Sequence, residues 1–275
     1  MPATASFRHI DAFASEPFEG NSAAVYRADA FPDDDRMLKI AREHNLSETA
    51  WVVPDHYGDG DFILRWFTPT VEVVMCGHAT FAAGHAILSE DGEREKVRFR
   101  TCMGAGILEV ARDINGGHNA YSMTLPSWGS SPTEMPELVA ALGKEPAELR
   151  VTAQAAEDCF LAIYDNGDEV RNLRPDFGAM APLGNYLFIA TAPGDEDGVD
   201  VISRVFAPGA GIDEDPVTGS AHAILTPYWA GRLGRDEFTA FQASERGGHL
   251  RCRHKGDRAI LGGTCVDVIS GELLV

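Results

Sequence analysis

Two stretches of the chain carry the residue types that could do chemistry. In the first, Cys76-Gly77-His78 leads into Ala79–Leu88, a run with no acidic residue, lysine or arginine. In the second, Asp215-Pro216-Val217-Thr218-Gly219-Ser220 leads into Ala221–Ala230, which is equally free of them. A helix that is apolar all round must be buried on all sides. Its first turn then opens inside the protein, with backbone N–H groups free and the positive end of a dipole pointing outward. Such a helix start receives a carboxylate readily. Gly77 and Gly219 add no side chain, so a ligand can come close to the backbone. Two starts facing each other would clamp a small acid. They would also stabilise the charge that develops when a neighbouring C–H bond ionises.

Several side chains could move the proton. In Leu46-Ser47-Glu48-Thr49-Ala50-Trp51-Val52-Val53, strand alternation puts Leu46, Glu48, Ala50 and Val52 on one face. Glu48 is then the one carboxylate in an apolar row. Facing inward, its pKa is raised by desolvation and it suits proton transfer near neutral pH. On an edge strand it would be a solvated surface acid. His78, in a first helical turn, can donate to a ligand or shuttle a proton; the alternative is a packed core histidine. Cys76 stands where a helix start favours the thiolate, yet cysteine is also simply a small buried residue. Asp215 can cap the second helix or orient His78. Ser220 lacks the Gly-x-Ser-x-Gly setting of a nucleophile and reads as a hydrogen-bond donor. His85 and His222 read as packed. No metal site is expected: His78 and His85 are not at i, i+4, and no Cys-x-x-Cys pair occurs.

The elements that must position these groups follow from pattern. Ser6–Phe13 and Ser22–Tyr26 read as strands, Pro32 opens a helix, and Asn45 ends it in a left-handed conformation. Phe62–Phe67 is a strand leading to the first charge-free helix. Strands 97–101 and 107–110 flank the turn Met103-Gly104-Ala105-Gly106. Linkers are expected at Asn115–Asn119 and Ser127–Pro132, which divides the chain into domains 1–118 and 119–275, with the last strands able to cross back. A helix begins near Pro136 and ends at Gly143. Strands are expected at 159–164, 186–191 and 199–206, a strand-to-helix entry at 171–177, and several short strands separated by Gly pairs from Glu237 onward. The recurrence of a Gly-led apolar helix half a chain apart predicts two related halves; two unrelated core helices are the alternative.

Composition narrows the function class. The 275 residues suffice for two domains. A formal net charge of −19 provides no basic footprint for nucleic acid and repels anionic membranes. Five scattered cysteines suggest reduced thiols in a cytoplasmic protein. No signal peptide or membrane span is expected, and the partner is a small carboxylate.

The chain resembles the PhzF-like family, the phenazine-biosynthesis isomerases of the diaminopimelate epimerase superfamily. The resemblance rests on Asp11-Ala12-Phe13 with Gly20-Asn21, on Asn45-Leu46-Ser47-Glu48-Thr49-Ala50, on Phe67-Thr68-Pro69-Thr70 with Cys76-Gly77-His78-Ala79-Thr80, and above all on Glu214-Asp215-Pro216-Val217-Thr218-Gly219-Ser220-Ala221. It implies an α/β (α+β) fold of two pseudo-symmetric domains, each a curved, mostly antiparallel sheet wrapped around a central buried helix. The active site is then expected between them. It also implies Glu48 as general acid/base, with His78, Asp215 and Ser220 contacting substrate or assisting. No cofactor and no metal are implied, and many such proteins are homodimers. Epimerases of the superfamily use a cysteine at each helix start. Here Cys76 fits the first, and Thr218-Gly219-Ser220 offers no second thiol.

The expected function is therefore a cofactor-independent isomerase that moves a proton on a small carboxylic acid. The alternatives are a racemase or epimerase pairing Cys76 with Glu48, and a non-catalytic small-anion-binding protein.

Overall fold

The computed structural model describes residues 5–113, 116–152 and 159–273. Residues 1–4, Asn115 of the first expected linker, and the last two residues of the expected second domain lie outside these. The chain forms two compact units, Met1–Thr124 with Gly262–Val275, and Leu125–Leu261.

The first unit runs β1 (Ser6–Ala12), β2 (Asn21–Arg27), α1 (Asp34–His44), β3 (Glu48–Pro54), β4 (Phe62–Phe67), β5 (Glu72–Val73), α2 (Gly77–Leu88), β6 (Lys96–Thr101), β7 (Ile107–Arg112) and β8 (Ala120–Pro126, to Thr124). Pairing is antiparallel for β1–β2, β3–β4, β4–β5, β6–β7 and β7–β8, and parallel for β2–β3 and β4–β6. The sheet curls round α2, which packs on β1, β2, β3, β6 and β7. The charge-free sequence of α2 is what permits this, and every residue from His78 to Leu88 is buried. Helix α1 covers the other face, where Met37, Ile40 and Ala41 meet Tyr26, Trp51, Val53 and Phe67. Asp33 accepts from the Arg36 N–H at its start, and Asn45 ends it at φ 51°.

The second unit repeats the plan. It comprises β9 (Ser131–Pro132), α3 (Pro136–Leu142), β10 (Glu148–Thr152), β11 (Cys159–Ile163), α4 (Gly167–Arg171), α5 (Phe177–Met180), β12 (Leu187–Pro193), β13 (Val201–Ala207), β14 (Ile212–Asp215), α6 (Gly219–Leu233), β15 (Glu237–Gln242) and β16 (Gly248–Lys255). Pairing is antiparallel for β10–β11, β12–β13, β13–β14 and β15–β16, and parallel for β11–β12 and β13–β15. This is the order of the first unit strand for strand, which supports the duplicated reading. Helices α3, α4 and α5 cover the outer face through Leu138, Leu142, Val170 and Met180.

The last strand, β17 (Arg258–Glu272), starts in the second unit and from Gly262 belongs to the first, where it pairs with β1. It differs from the expected series of short strands. The pair Gly262-Gly263 does not interrupt it: both residues are buried within the strand. The expected strand-to-helix entry at 171–177 is also different, since Arg171 closes α4 and Phe177 opens α5 with a loop between. The acids Asp168 and Glu169 at the positive end of α4, and the Asn166 side chain accepting from the Glu169 N–H, favour a short helix there.

One glycine is required by close approach. A Cβ on Gly84 would lie 2.4 Å from Val110 Cγ1 on β7. Gly84→Ala is expected to cost about 1–3 kcal/mol by overpacking, read as a lower urea midpoint with unchanged slope. A midpoint equal to wild type would show that α2 can move away from β7.

Candidate active site

Glu48 opens β3 on the face opposite Trp51, and so on the side of α2 rather than α1. Its side chain is 12% exposed. Register places it beside Ala23 of β2. At the matching position the second unit has Leu187, the first residue of β12. The duplicated scaffold thus carries an acid in one half only.

The β4–β5 hairpin delivers the chain to α2. Arg65 of β4 holds Glu72 of β5 through two hydrogen bonds of 2.7 Å each and lies over the Phe67 ring. The second unit repeats this brace: Arg204 of β13 holds Glu214 of β14 at 2.8 and 2.7 Å and lies over Phe206. Each braced acid lies four residues before a helix N-cap. Those caps are Cys76 and Thr218, both extended and both without a side-chain cap hydrogen bond.

His78, in the first turn of α2, is 5% exposed. Nδ1 faces Cys76 Sγ at 3.6 Å. Nε2 stands 3.2 Å from Glu48 Oε2 and 3.4 Å from Ser47 Oγ. Burial pushes its pKa down to about 3, against a hydrogen bond to the Ser22 carbonyl that pulls the other way. The imidazole is therefore neutral at physiological pH, and its contact with Glu48 is not an ion pair. A neutral ring carries one N–H. Either nitrogen can carry it: Nδ1 beside the Cys76 thiol, or Nε2 beside Ser47 Oγ and the Glu48 carboxylate.

Glu48, Cys76, Gly77 and His78 come together in the first unit. Gly219, Ser220 and Asp215 form a group in the second. Asp215 accepts from the Thr218 hydroxyl. Gln242, fully buried, accepts from the Thr218 N–H at 2.9 Å and donates to the Asp215 carbonyl at 2.7 Å. Ser220 follows Gly219 in the first turn of α6 and is half-buried. His85 and His222 are both wholly buried, as expected. His222 Nδ1 donates to the Thr218 carbonyl at 2.8 Å, and burial holds its pKa down to about 4. Ser22, Ser47 and Gln242 were not singled out from pattern. Ser47 directly precedes Glu48, but Gln242 lies 24 residues from Thr218, and only the β13–β15 pairing brings it there.

At its far end α2 is held by a separate network. His85 Nε2 lies 3.0 Å from Asp267 Oδ2, its Nδ1 lies 3.0 Å from the Tyr121 hydroxyl, and Arg8 donates to Asp267 Oδ1 at 2.7 Å. Burial raises the Asp267 pKa, but hydrogen bonds from His85 and Arg8 outweigh it and hold the group at about 2. A carboxylate depressed on folding contributes stability above its unfolded pKa and loses it as pH falls through the folded value. The stability gap between wild type and Asp267→Asn is therefore expected to be full at neutral pH and to close from about pH 4 to about pH 2. Chemical denaturation across that range reads it; a gap constant with pH would show that the charge is not used.

Glu48, Cys76 and His78 also have the chemistry of metal ligands, and one ligand atom from each lies within 4.8 Å of the others. Among the described residues no helix is long and apolar enough to cross a membrane.

Residues 10–271 match the family of phenazine biosynthesis-like proteins termed PhzC-PhzF. A Pseudomonas aeruginosa protein named as an uncharacterized isomerase is 44% identical over 270 residues, 97% of each chain. A second from the same organism, named likewise, is 41% identical over 266 residues, 96% of each chain. The crystal structure of a PhzF-family phenazine biosynthesis protein from Enterococcus faecalis aligns with a TM-score of 0.88 at 36% identity, covering 99% of this chain and 100% of the other.

Proposed function

The chain belongs to the phenazine biosynthesis-like PhzC-PhzF family, and on that premise we propose that it is a cofactor-independent isomerase moving a proton on a small carboxylic acid. The observation that carries this reading is Glu48, largely buried and 3.2 Å from a neutral His78 at the start of a charge-free helix. The substrate carboxylate is received by the backbone N–H groups of the first turn of α2, where Gly77 leaves room. Glu48 takes a proton from the adjacent carbon, and the helix start stabilises the resulting enolate. The same carboxyl returns the proton to another carbon, so the bonds balance with no redox partner. His78 is a positioning residue in this scheme. Its low pKa makes it a poor proton acceptor, and it orients Glu48 and any substrate oxygen. Relatives named as isomerases support the reaction class.

A second reading has support in the 3.6 Å contact between Cys76 Sγ and His78 Nδ1. It places a thiol in the same cluster as Glu48, and a racemase or epimerase would need these two bases to reach opposite faces of the substrate carbon. Incubation of candidate acids in deuterated water, with carbon-bound deuterium read by mass spectrometry, tests both. Deuterium uptake that persists in Cys76→Ala favours the Glu48 isomerase. Uptake lost in that variant favours the two-base reaction. Tight binding of an acid without any exchange would leave an anion-binding protein.

A further inference from the structure

We propose that Cys76, His78 and Glu48 together bind one divalent transition-metal ion of the zinc type, and that its binding switches the active site off. Binding of the ion stands on its own; the switching rests on the reading of Glu48 as the proton carrier.

The donor set is a thiol, an imidazole and a carboxylate, one each, with the three ligand atoms within 4.8 Å of one another. Zinc takes these ligands at about 2.3, 2.1 and 2.1 Å, so the edges of its tetrahedron are about 3.4–3.6 Å. His78 Nε2 and Glu48 Oε2 are already 3.2 Å apart. One ring nitrogen takes the ion, so closing the set requires Cys76 Sγ, now 3.6 Å from Nδ1, or the His78 ring to turn, with up to about 1.2 Å to close on an edge, within reach of χ1 and χ2 changes. Three protein ligands leave the fourth position for water or for a substrate oxygen.

Charge is balanced once the ion is in place. A thiolate and a carboxylate with a divalent cation sum to zero, so the buried cluster carries no net charge. Sulfur and imidazole select zinc, cobalt or copper over magnesium and calcium, which prefer oxygen alone. The step balances as loss of the thiol proton to solvent, formation of one metal–sulfur, one metal–nitrogen and one metal–oxygen bond, and no change in oxidation state. With its oxygen on the metal, Glu48 can no longer accept a proton from carbon.

Spacing in sequence does not disclose this site. Cys76 and His78 are two apart, which is no zinc pattern on a helix, and Glu48 arrives from a strand 28 residues earlier.

The full chain, stripped with a chelator, is titrated with cobalt(II). The expected result is one ion per chain with a thiolate-to-cobalt charge-transfer band and the visible bands of a four-coordinate centre; zinc then displaces cobalt. Cys76→Ser loses the charge-transfer band, with Cys76→Ala as a second variant if the serine disturbs folding. His78→Asn and Glu48→Gln weaken binding, each by about 100-fold or more, since outer-shell partners alone are worth about 10–100-fold. Cys102→Ser, at an exposed thiol, leaves the band unchanged. Absence of the band, its survival in both Cys76 variants, or wild-type affinity in the His78 and Glu48 variants would overturn the site. Zinc is expected to stop deuterium exchange and a chelator to restore it. Exchange that continues with the site filled overturns the switch alone. The cobalt band with no exchange on any acid leaves the site standing and removes the isomerase reading.

Discussion

Glu48→Gln is expected to lower deuterium incorporation into the substrate by about 10²–10⁴-fold, the range for losing a positioned general acid/base. Glutamine keeps the size and the polar contact with His78 but cannot accept a proton from carbon. The affinity for the acid is expected to change little if, as proposed, the N–H groups of α2 hold it. A fall in turnover with an unchanged Michaelis constant would separate chemistry from binding. Exchange at the wild-type rate removes Glu48 from the mechanism. The second unit provides an internal comparison: Leu187 occupies the matching strand position, and its replacement by methionine is expected to leave exchange within about threefold of wild type, as a volume-conserving swap does for packing.

Arg204→Met is expected to destabilise the protein by about 3–5 kcal/mol, the cost of leaving a buried charge without its partner. Arg204 is 11% exposed and holds Glu214 while also donating to the Val170, Arg171 and Leu173 carbonyls. Its removal takes the partner from the Glu214 carboxylate, while the three carbonyls keep other donors, the Leu173 N–H on Val170 and Arg174 on Arg171 and Leu173. The double variant Arg204→Met with Glu214→Leu is expected to recover part of the loss, because an apolar pair has no charge to desolvate. Arg204→Lys is not a rescue, since an ammonium cannot form the two-pronged contact. Urea midpoints of the three variants test the set; a single variant within about 0.5 kcal/mol of wild type would show that the brace is ornamental to stability.

The sequence is most informative where one residue type excludes every alternative. A run from Ala79 to Leu88 without acid, lysine or arginine can only be interior, and α2 is interior. Asn45 and Gly143 stop their helices in left-handed conformations, as such residues do. Glu48 was legible as one acid in an apolar row, because alternation needs no knowledge of partners. Pairing was not legible. Arg65 and Arg204 read as ordinary strand arginines until register sets Glu72 and Glu214 beside them. Gln242 had no local signal at all. The length of β17 was hidden for the opposite reason: a Gly pair normally marks a turn, and here pairing with β1 overrides local preference. The trio of Glu48, Cys76 and His78 combines both cases, with two members two positions apart in sequence and the third brought by the fold.

The course of β17 bears on how the protein is made. Residues 6–12 of β1 pair with β2 on one edge and with residues 265–272 on the other. A ribosome adding roughly 5–20 residues per second needs roughly 7–30 seconds to go from the end of the first segment of that unit to the start of its second. Throughout that interval one edge of β1 is without its neighbour in the nascent chain. Such an edge invites pairing with another polypeptide, so the period of synthesis, rather than the finished molecule, is when this fold most needs a chaperone.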